Sequence, residues 1–481
     1  MKLNKYLKTC DKVYSATLDP RSACALRLHL VPPAKLKPNV PWVLIINGYS
    51  LIPIQSAWAV LLKEFLERLE NSGGFDIGSN RINEIADETV ENVSKIFKST
   101  PKNIIAKDLA DMLETFKTIA AGEIPAADIG YTTLKDYAKF MSAPHRMDLM
   151  VAAIEKDGHW NCNQKCLHCY CKNQALAGAP ELDTEKWKKI IDKCRKAGIP
   201  SITFTGGEAT LRKDLPELIE YSKWFVTRLN TNGVLLTSEL CQKLYKAELD
   251  SVQVTLYSHN KEIHNALVGA DTFDKTVEGI QNAVCAGLDT SVNTPLCSIN
   301  SGDYNETLKF VKRLGVRYCS CSGLIPEGGA KTEQSKITAL TQEKITEVVV
   351  SAKKYAKAAN MEVTFTSPGW INPADLRKQN MVVPACGACL SNMAISPDGK
   401  VIPCQSWLSE QPLGDMLTQN WDKIWNGART KEIRKFAAKS KNECLLGAKA
   451  GTHGVSLNGD KNLKRGETRT EKRGGDCGGS V

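Results

Sequence analysis

Three cysteines, Cys162, Cys166 and Cys169, stand at C-x3-C-x2-C spacing in one short loop that runs on to Cys171. Three thiolates hold three corners of a cubane [4Fe–4S] cluster and leave the fourth iron without a protein ligand. An open iron can bind a substrate, whereas a cluster closed by four cysteines only passes electrons. Close cysteines can also hold zinc. Zinc sites usually pair C-x2-C with a second ligand pair, and His168 and Cys171 are the nearest such donors. A second group lies further on: Cys386-Gly387-Ala388-Cys389, then Cys404, then Cys444. Pro397-Asp398-Gly399 reads as a hairpin turn that brings Cys404 back towards Cys386. Four thiolates there would close an electron relay and three would leave an iron free. A structural zinc site is the competing reading of this second group.

Bulk composition bounds the setting. The 481 residues allow two to four domains, and 42% hydrophobic with 24% charged residues is globular usage. No 18-residue apolar run is present, so no membrane span is expected. The charged N-terminus has no apolar stretch behind it, which argues against a signal peptide. The expected location is the cytoplasm. Seventeen cysteines in a reducing compartment point to metal or redox chemistry, with Cys194, Cys241 and Cys285 reading as ordinary small core residues. The net charge of +10 is concentrated at the ends: residues 1–40 carry eight Lys/Arg against two Asp. No aromatic stripe accompanies the basic residues to stack bases, so nucleic acid is not expected as a partner.

The elements that must position the cysteines follow from periodicity. Residues 1–40 form a basic segment broken by prolines, with a strand around Leu26–Leu30. Residues 41–125 contain a strand at Val43–Ile46 and three amphipathic helices, the first from Ala57 to Leu69. This is a small, mostly helical domain, either a winged-helix module or a helical cap. Residues 120–145 read as a linker. From Asp148 six strand–helix units alternate, with strands at Leu149–Ile154, Ile202–Thr205, Phe225–Leu229, Ser251–Leu256, Thr290–Pro295 and Arg317–Ser320. Such an order implies a parallel sheet with right-handed crossovers. The fold class is α/β, and the core spans 148–340, too short for a full eight-unit barrel of about 250 residues. A hairpin-plus-helix domain spans 380–446, and residues 447–481, which include Cys477, lack periodic apolar positions and are expected to be disordered.

The cysteine loop, with its His-Cys-Tyr ending, resembles the radical S-adenosylmethionine (radical SAM) enzymes. The resemblance covers residues 148–330 and implies a partial (β/α)6 barrel of TIM type. It implies that Cys162, Cys166 and Cys169 ligate a [4Fe–4S] cluster whose open iron is chelated by S-adenosylmethionine. It also places cofactor contacts after successive strands: Gly206, Gly207 and Glu208 as the GGE motif, Asn230 and Asn232 within Asn-Thr-Asn-Gly, Thr255 towards the ribose, and Pro326 in a turn bordering adenine. Tyr257 and Ser258 depart from the family pattern. Cys386 to Gly399, then Cys404, resembles the opening of the SPASM and twitch auxiliary-cluster domains, implying one auxiliary iron–sulfur cluster held by Cys386, Cys404 and Cys444. A full SPASM domain has several more cysteines after this point, whereas this chain offers only Cys477.

The resemblance implies reductive cleavage of S-adenosylmethionine to a 5′-deoxyadenosyl radical that abstracts hydrogen. Most relatives with this layout modify peptides or proteins. The expected partners are a peptide or protein substrate with a leader segment and a reductant such as flavodoxin or ferredoxin. The alternatives are a radical enzyme of small-molecule or cofactor biosynthesis and a non-catalytic iron–sulfur or zinc protein. The residues reveal no separate catalytic acid or base.

Overall fold

The computed structural model describes residues 3–10, 13–18, 26–33, 36–46, 50–72, 79–120, 141–409, 411–439 and 443–446. Most of the expected linker, the whole expected tail and Cys477 lie outside them. The first unit is an antiparallel meander of β1 (Tyr14–Leu18), β2 (Leu26–Val31), β3 (Trp42–Ile46) and β4 (Ser50–Ile54), followed by helices Ser56–Asn71, Ser79–Ile96 and Lys102–Ala120. Strand alternation gives the sheet two apolar faces. Leu28, Leu30, Trp42, Leu44 and Ile46 pack with Val60, Phe65, Met112 and Phe116 of the helices. Val31, Val43 and Ile45 point the other way and join the core of the next unit. Residues 1–40 are therefore no separate segment, because β1 and β2 are half of this sheet. The expected strand Val43–Ile46 is central, flanked by β2 and β4.

The second unit is built on parallel strands: β5 (Arg146–Ala152), β8 (Ser201–Gly206), β9 (Val226–Thr231), β10 (Ser251–Thr255), β11 (Asp289–Pro295), β12 (Tyr318–Ser322) and β13 (Glu362–Phe365). A small hairpin, β6 (Glu155–Lys156) and β7 (His159–Trp160), follows β5. The strands connect through helices, of which Thr184–Ala197 shows the local logic. Asp183 accepts the Lys186 N–H at its start, and Gly198 ends it at φ +80°. The sequence reading found six parallel strands. The seventh, β13, is four residues long and opens on Glu362, too short to show alternation. It carries the core unit past residue 340.

The barrel strands largely alternate, with Met150 in β5 and Val226 in β9 as apolar exceptions on the inner face. Met147, Leu149, Ile202, Phe204, Leu229, Val252, Val254 and Val292 pack outward against helix residues such as Trp187, Ile190, Leu218 and Ile280. The intervening residues Asp148, Thr203, Arg228, Asn230, Gln253, Asn293 and Ser320 line the lumen. Buried parallel strands are usually apolar throughout, so this barrel is built to hold something polar. Two lumen bonds cross strands: Gln253 Nε2 donates to Ser320 Oγ at 3.0 Å, and Ser320 Oγ donates to Asn293 Oδ1 at 2.9 Å.

The third unit continues the same sheet. β14 (Asn392–Ile395) pairs in parallel with β5, then β15 (Lys400–Ile402) and β16 (Gly414–Asp415) follow antiparallel. The expected hairpin turn is present, with Gly399 at φ +87° and the Ser396 N–H bonded to the Lys400 carbonyl at 2.8 Å. Helices Trp421–Trp425 and Ala428–Lys439 pack behind it. Among the described residues no helix is long and apolar enough to cross a membrane.

Candidate functional site

The cysteine loop begins where β5 ends, at the carboxyl ends of the strands. Glu181 secures its entry: Oε1 accepts from the Ala153 N–H at 3.0 Å and from Asn161 Nδ2 at 3.2 Å, while Oε2 pairs with Lys156 at 2.9 Å. Lys165 and Leu167 donate their N–H groups to the carbonyls of Val268 and Leu267 at 2.8 and 2.9 Å. The far side is clasped by Gly328-Gly329. A Cβ on Gly328 would stand 2.3 Å from the Tyr170 carbonyl oxygen, and the Gly329 N–H bonds to the Cys169 carbonyl at 2.8 Å. His168 Nε2 meets Thr338 Oγ1 at 2.8 Å. The turn after β12 thus closes over the cysteine loop, and Pro326 lies half-buried just before that clasp.

Cys162, Cys166 and Cys169 are all half-buried. Burial pushes the Cys162 thiol up to about 12, with Glu208 and Cys169 adding to the rise, and carries Cys166 well above its ordinary value. Cys169 is lowered to about 7, first by the hydrogen bond from the fully buried Cys171. Thiolates at the first two positions therefore require a cation, which iron supplies on binding. Among the described residues no three His, Cys, Asp or Glu side chains lie close enough to share one metal ion. The three thiols share one half-buried loop.

The glycines of the GGE motif hold two strand ends together. Gly206 adopts φ +146°, and a Cβ there would stand 2.2 Å from the Ala152 carbonyl oxygen; one on Gly207 would stand 2.7 Å from that of Ala153. Glu208 is buried and fully engaged. Its Oε1 accepts from Thr210 N, Thr210 Oγ1 and Thr231 Oγ1 at 3.0, 2.6 and 2.7 Å, and its Oε2 from Asn232 N at 2.8 Å. It pins the loop after β9 to the loop after β8. Asn232 then reaches the cysteine loop, its Nδ2 lying 2.5 Å from Asn163 Oδ1 and 3.8 Å from Cys162 Sγ. Asn230 and Thr255 stand on the lumen wall, and the buried Asn230 Oδ1 has no partner among the described residues. Asn163, Glu181 and Gln174 were missed by the sequence reading, since each acts through contacts distant in the chain. The cysteine loop motif flagged Asn163 only as a spacer.

The structure also brings the second cysteine group together. Burial raises Cys386 to about 11 and Cys404 well beyond its ordinary value, and Cys444 adds to both shifts. Cys389 sits one turn away, with its N–H directed to the carbonyls of Asn392 and Pro403 at 3.1 and 3.3 Å. It holds φ +56°, a left-handed conformation that glycine would adopt without strain. Of the other expected core cysteines, Cys194 and Cys241 are buried but Cys285 is exposed. The two cysteine groups are joined through Gln174. Its Nε2 donates to the Ser406 carbonyl at 3.2 Å and its Oε1 accepts from Leu408 N at 3.0 Å. A cleft of about 640 Å³ beside the β6–β7 hairpin is lined by charged residues, among them Glu181 and Arg212, and lies outside the lumen.

Residues 161–311 match the radical SAM superfamily, and residues 386–445 match the SPASM iron–sulfur cluster-binding domain. The chain is 26% identical to an AdoMet-dependent heme synthase of Oleidesulfovibrio alaskensis over 57% of this chain and 74% of that protein. It is 26% identical to a PqqA peptide cyclase of Granulibacter bethesdensis over 56% of this chain and 71% of that protein. Its match to a probable GTP 3′,8-cyclase of Thermococcus kodakarensis is 32% identical but spans 32% of this chain and about half (51%) of that protein. Among solved structures, Streptococcus suis SuiB bound to precursor peptide SuiA shares the fold with a TM-score of 0.54, at 13% identity over 85% of this chain and 91% of that one. The donor chemistry fits the groups these families use, with three thiols on one loop and a second group at Cys386, Cys389, Cys404 and Cys444. The chain is a radical SAM enzyme with a C-terminal SPASM domain, dependent on S-adenosylmethionine, a [4Fe–4S] cluster and auxiliary iron–sulfur.

Proposed function

We propose that the enzyme is a peptide maturase, in which the N-terminal unit holds the leader of a precursor peptide while the barrel modifies its core. The observation that carries this reading is the separate architecture of residues 3–120. This unit has its own apolar core, and it docks at the amino ends of the barrel strands, away from the cysteine loop. His29 Nε2 of β2 lies 3.7 Å from Asp250 Oδ1, just before β10. A mere cap over the lumen would sit at the opposite end. The PqqA peptide cyclase relative and the fold shared with peptide-bound SuiB support the reading. The heme synthase relative supports a small-molecule alternative, because the barrel and SPASM domain alone are compatible with either.

In the proposed roles, Cys162, Cys166 and Cys169 hold the barrel cluster, and Cys386, Cys404 and Cys444 hold one auxiliary cluster with Cys389 as the fourth thiol. When bound, these groups supply a 5′-deoxyadenosyl radical and an electron acceptor respectively. Gly206 and Gly207 give the backbone a close approach to S-adenosylmethionine. Glu208 positions Asn232, while Asn230, Thr255 and Pro326 border the nucleoside. The polar lumen excludes bulk water once peptide enters. Electrons come from a flavodoxin- or ferredoxin-type donor.

A leader would add to a free sheet edge, with main-chain bonds giving affinity. Among the described residues those edges are β1 and β4, and helix Ser56–Asn71 packs over β1. In β4, Pro53 cannot donate into the ladder with β3, so its position and that of Leu51, two residues earlier, fall on the outward side, where the Leu51 N–H is the free donor. Leu51→Pro removes an outward donor and leaves the ladder intact. With a labelled synthetic candidate precursor peptide as probe, its affinity falls at least tenfold in fluorescence anisotropy, while S-adenosylmethionine cleavage is unchanged. Equal affinity in both proteins rules out β4 as the docking edge.

A further inference from the structure

We propose that Arg434 is the counter-charge of the auxiliary iron–sulfur cluster and raises its reduction potential. The helix Ala428–Lys439 carries this side chain against the Cys386–Cys389 turn. Nε donates to the Cys389 carbonyl at 2.9 Å, Nη2 donates to the Trp425 carbonyl at 2.6 Å, and the guanidinium lies 3.4 Å over the Trp425 ring. Two hydrogen bonds and a stacked face fix the fork rigidly. Arg434 is half-buried, yet its partners are two carbonyls and a ring, none of them an anion.

Partial burial of a cation with no anion beside it is unfavourable. The group that can become negative here is the cysteine set itself. Arg434 reaches that set through the Cys389 carbonyl, inside the Cys386–Cys389 turn. A cubane held by four thiolates is anionic, and reduction adds one more negative charge. A fixed positive charge at the edge of the site favours the reduced form, net charge being one of the levers on such potentials. A raised potential suits an auxiliary site that accepts the electron left on a substrate after hydrogen abstraction. The inference rests on the ligand set proposed above.

The test is a redox titration of the fully reconstituted, full-length enzyme, followed by EPR signals that separate the two clusters. In Arg434→Gln the reduced-to-oxidised ratio of the auxiliary cluster at fixed potential falls about tenfold, which is about 59 mV for a one-electron couple. The barrel cluster does not move. Arg434→Lys keeps the charge without the fork and shifts by less than half as much. Equal auxiliary potentials in Arg434→Gln and wild type overturn the proposal, as do equal shifts in the Gln and Lys variants, which would assign the effect to packing. Loss of auxiliary iron from the Gln variant alone supports the charge, and loss from both variants overturns it. Cys389→Ser tests the ligand set separately by iron content. An auxiliary signal absent from wild type defeats that set and this proposal with it.

Discussion

The two cysteine cradles are built by opposite means. The barrel cradle is a loop of three thiols held by backbone contacts. Gly269, Gly328 and Gly329 let neighbouring chain come within touching distance of it, and its open side faces a polar lumen. The auxiliary cradle gathers four thiols from a tight turn, a hairpin and the end of the described chain. It lies amid apolar packing that includes Trp407, Trp421 and Trp425, with an arginine at its back. In the proposed roles the difference separates two uses of the same kind of cluster: three thiols on the loop would leave a corner for a ligand, and four at the packed site would leave none.

The comparison breaks most sharply at the barrel thiols. Replacing Cys162, Cys166 and Cys169 together with alanine abolishes 5′-deoxyadenosine formation and removes one cluster's worth of iron, measured after anaerobic reconstitution. Cys171→Ala retains cleavage, since Cys171 stands outside the triad. Normal cleavage by the triple variant would refute the open-corner assignment. Replacing Cys386, Cys404 and Cys444 with alanine removes the auxiliary iron and product formation but leaves cleavage of S-adenosylmethionine in place. Zinc in place of extra iron in the wild-type protein would show that the packed site is structural.

Gln174 tests how separate the cradles are. Gln174→Ala leaves Leu408 N without its buried partner, at a cost of about 1–3 kcal/mol. The expected readout is a lower Tm with both EPR signals altered. A change confined to one signal would mean that the cradles are independent. The smallest effect lies far from either cluster. Burial alone would raise the Glu64 carboxyl, but hydrogen bonds from Tyr6, Arg68 and Lys63 outweigh it and hold it at about 2. The unfolded chain then binds the proton more readily, so stability rises with pH across this window. The contribution is complete above about 4.5, the ordinary value, and is lost as pH falls towards about 2. Limited proteolysis of the N-terminal unit in apo-protein should accelerate across that range, and Glu64→Gln should flatten the dependence.

Much of this was legible in the chain because the signals are local. Period-two alternation found six barrel strands within a few residues, and cysteine spacing marked out both cysteine groups. The misses share a cause. β1 lies in a proline-broken basic stretch and becomes a strand through pairing with β2, the strand expected around Leu26–Leu30. Glu208 carries a motif's name, yet its carboxylate is spent on Thr210, Thr231 and Asn232, which no spacing rule announces. Cys389 gives its clearest sign in a backbone angle.

The parallel pairing of β14 with β5 makes the sheet a ruler. β5 leads into the cysteine loop at one end, and β14 emerges from the Cys386–Cys389 turn. Their register, Asn392 beside Arg146 through Ile395 beside Leu149, sets how far apart the two metal sites stand. Each residue of slip would change that spacing by about 3.3 Å and turn every side chain of β14 to the other face. Grafting an SPASM domain from a relative onto this barrel therefore demands transfer of the seam between β5 and β14, because a flexible linker cannot restore a measured gap.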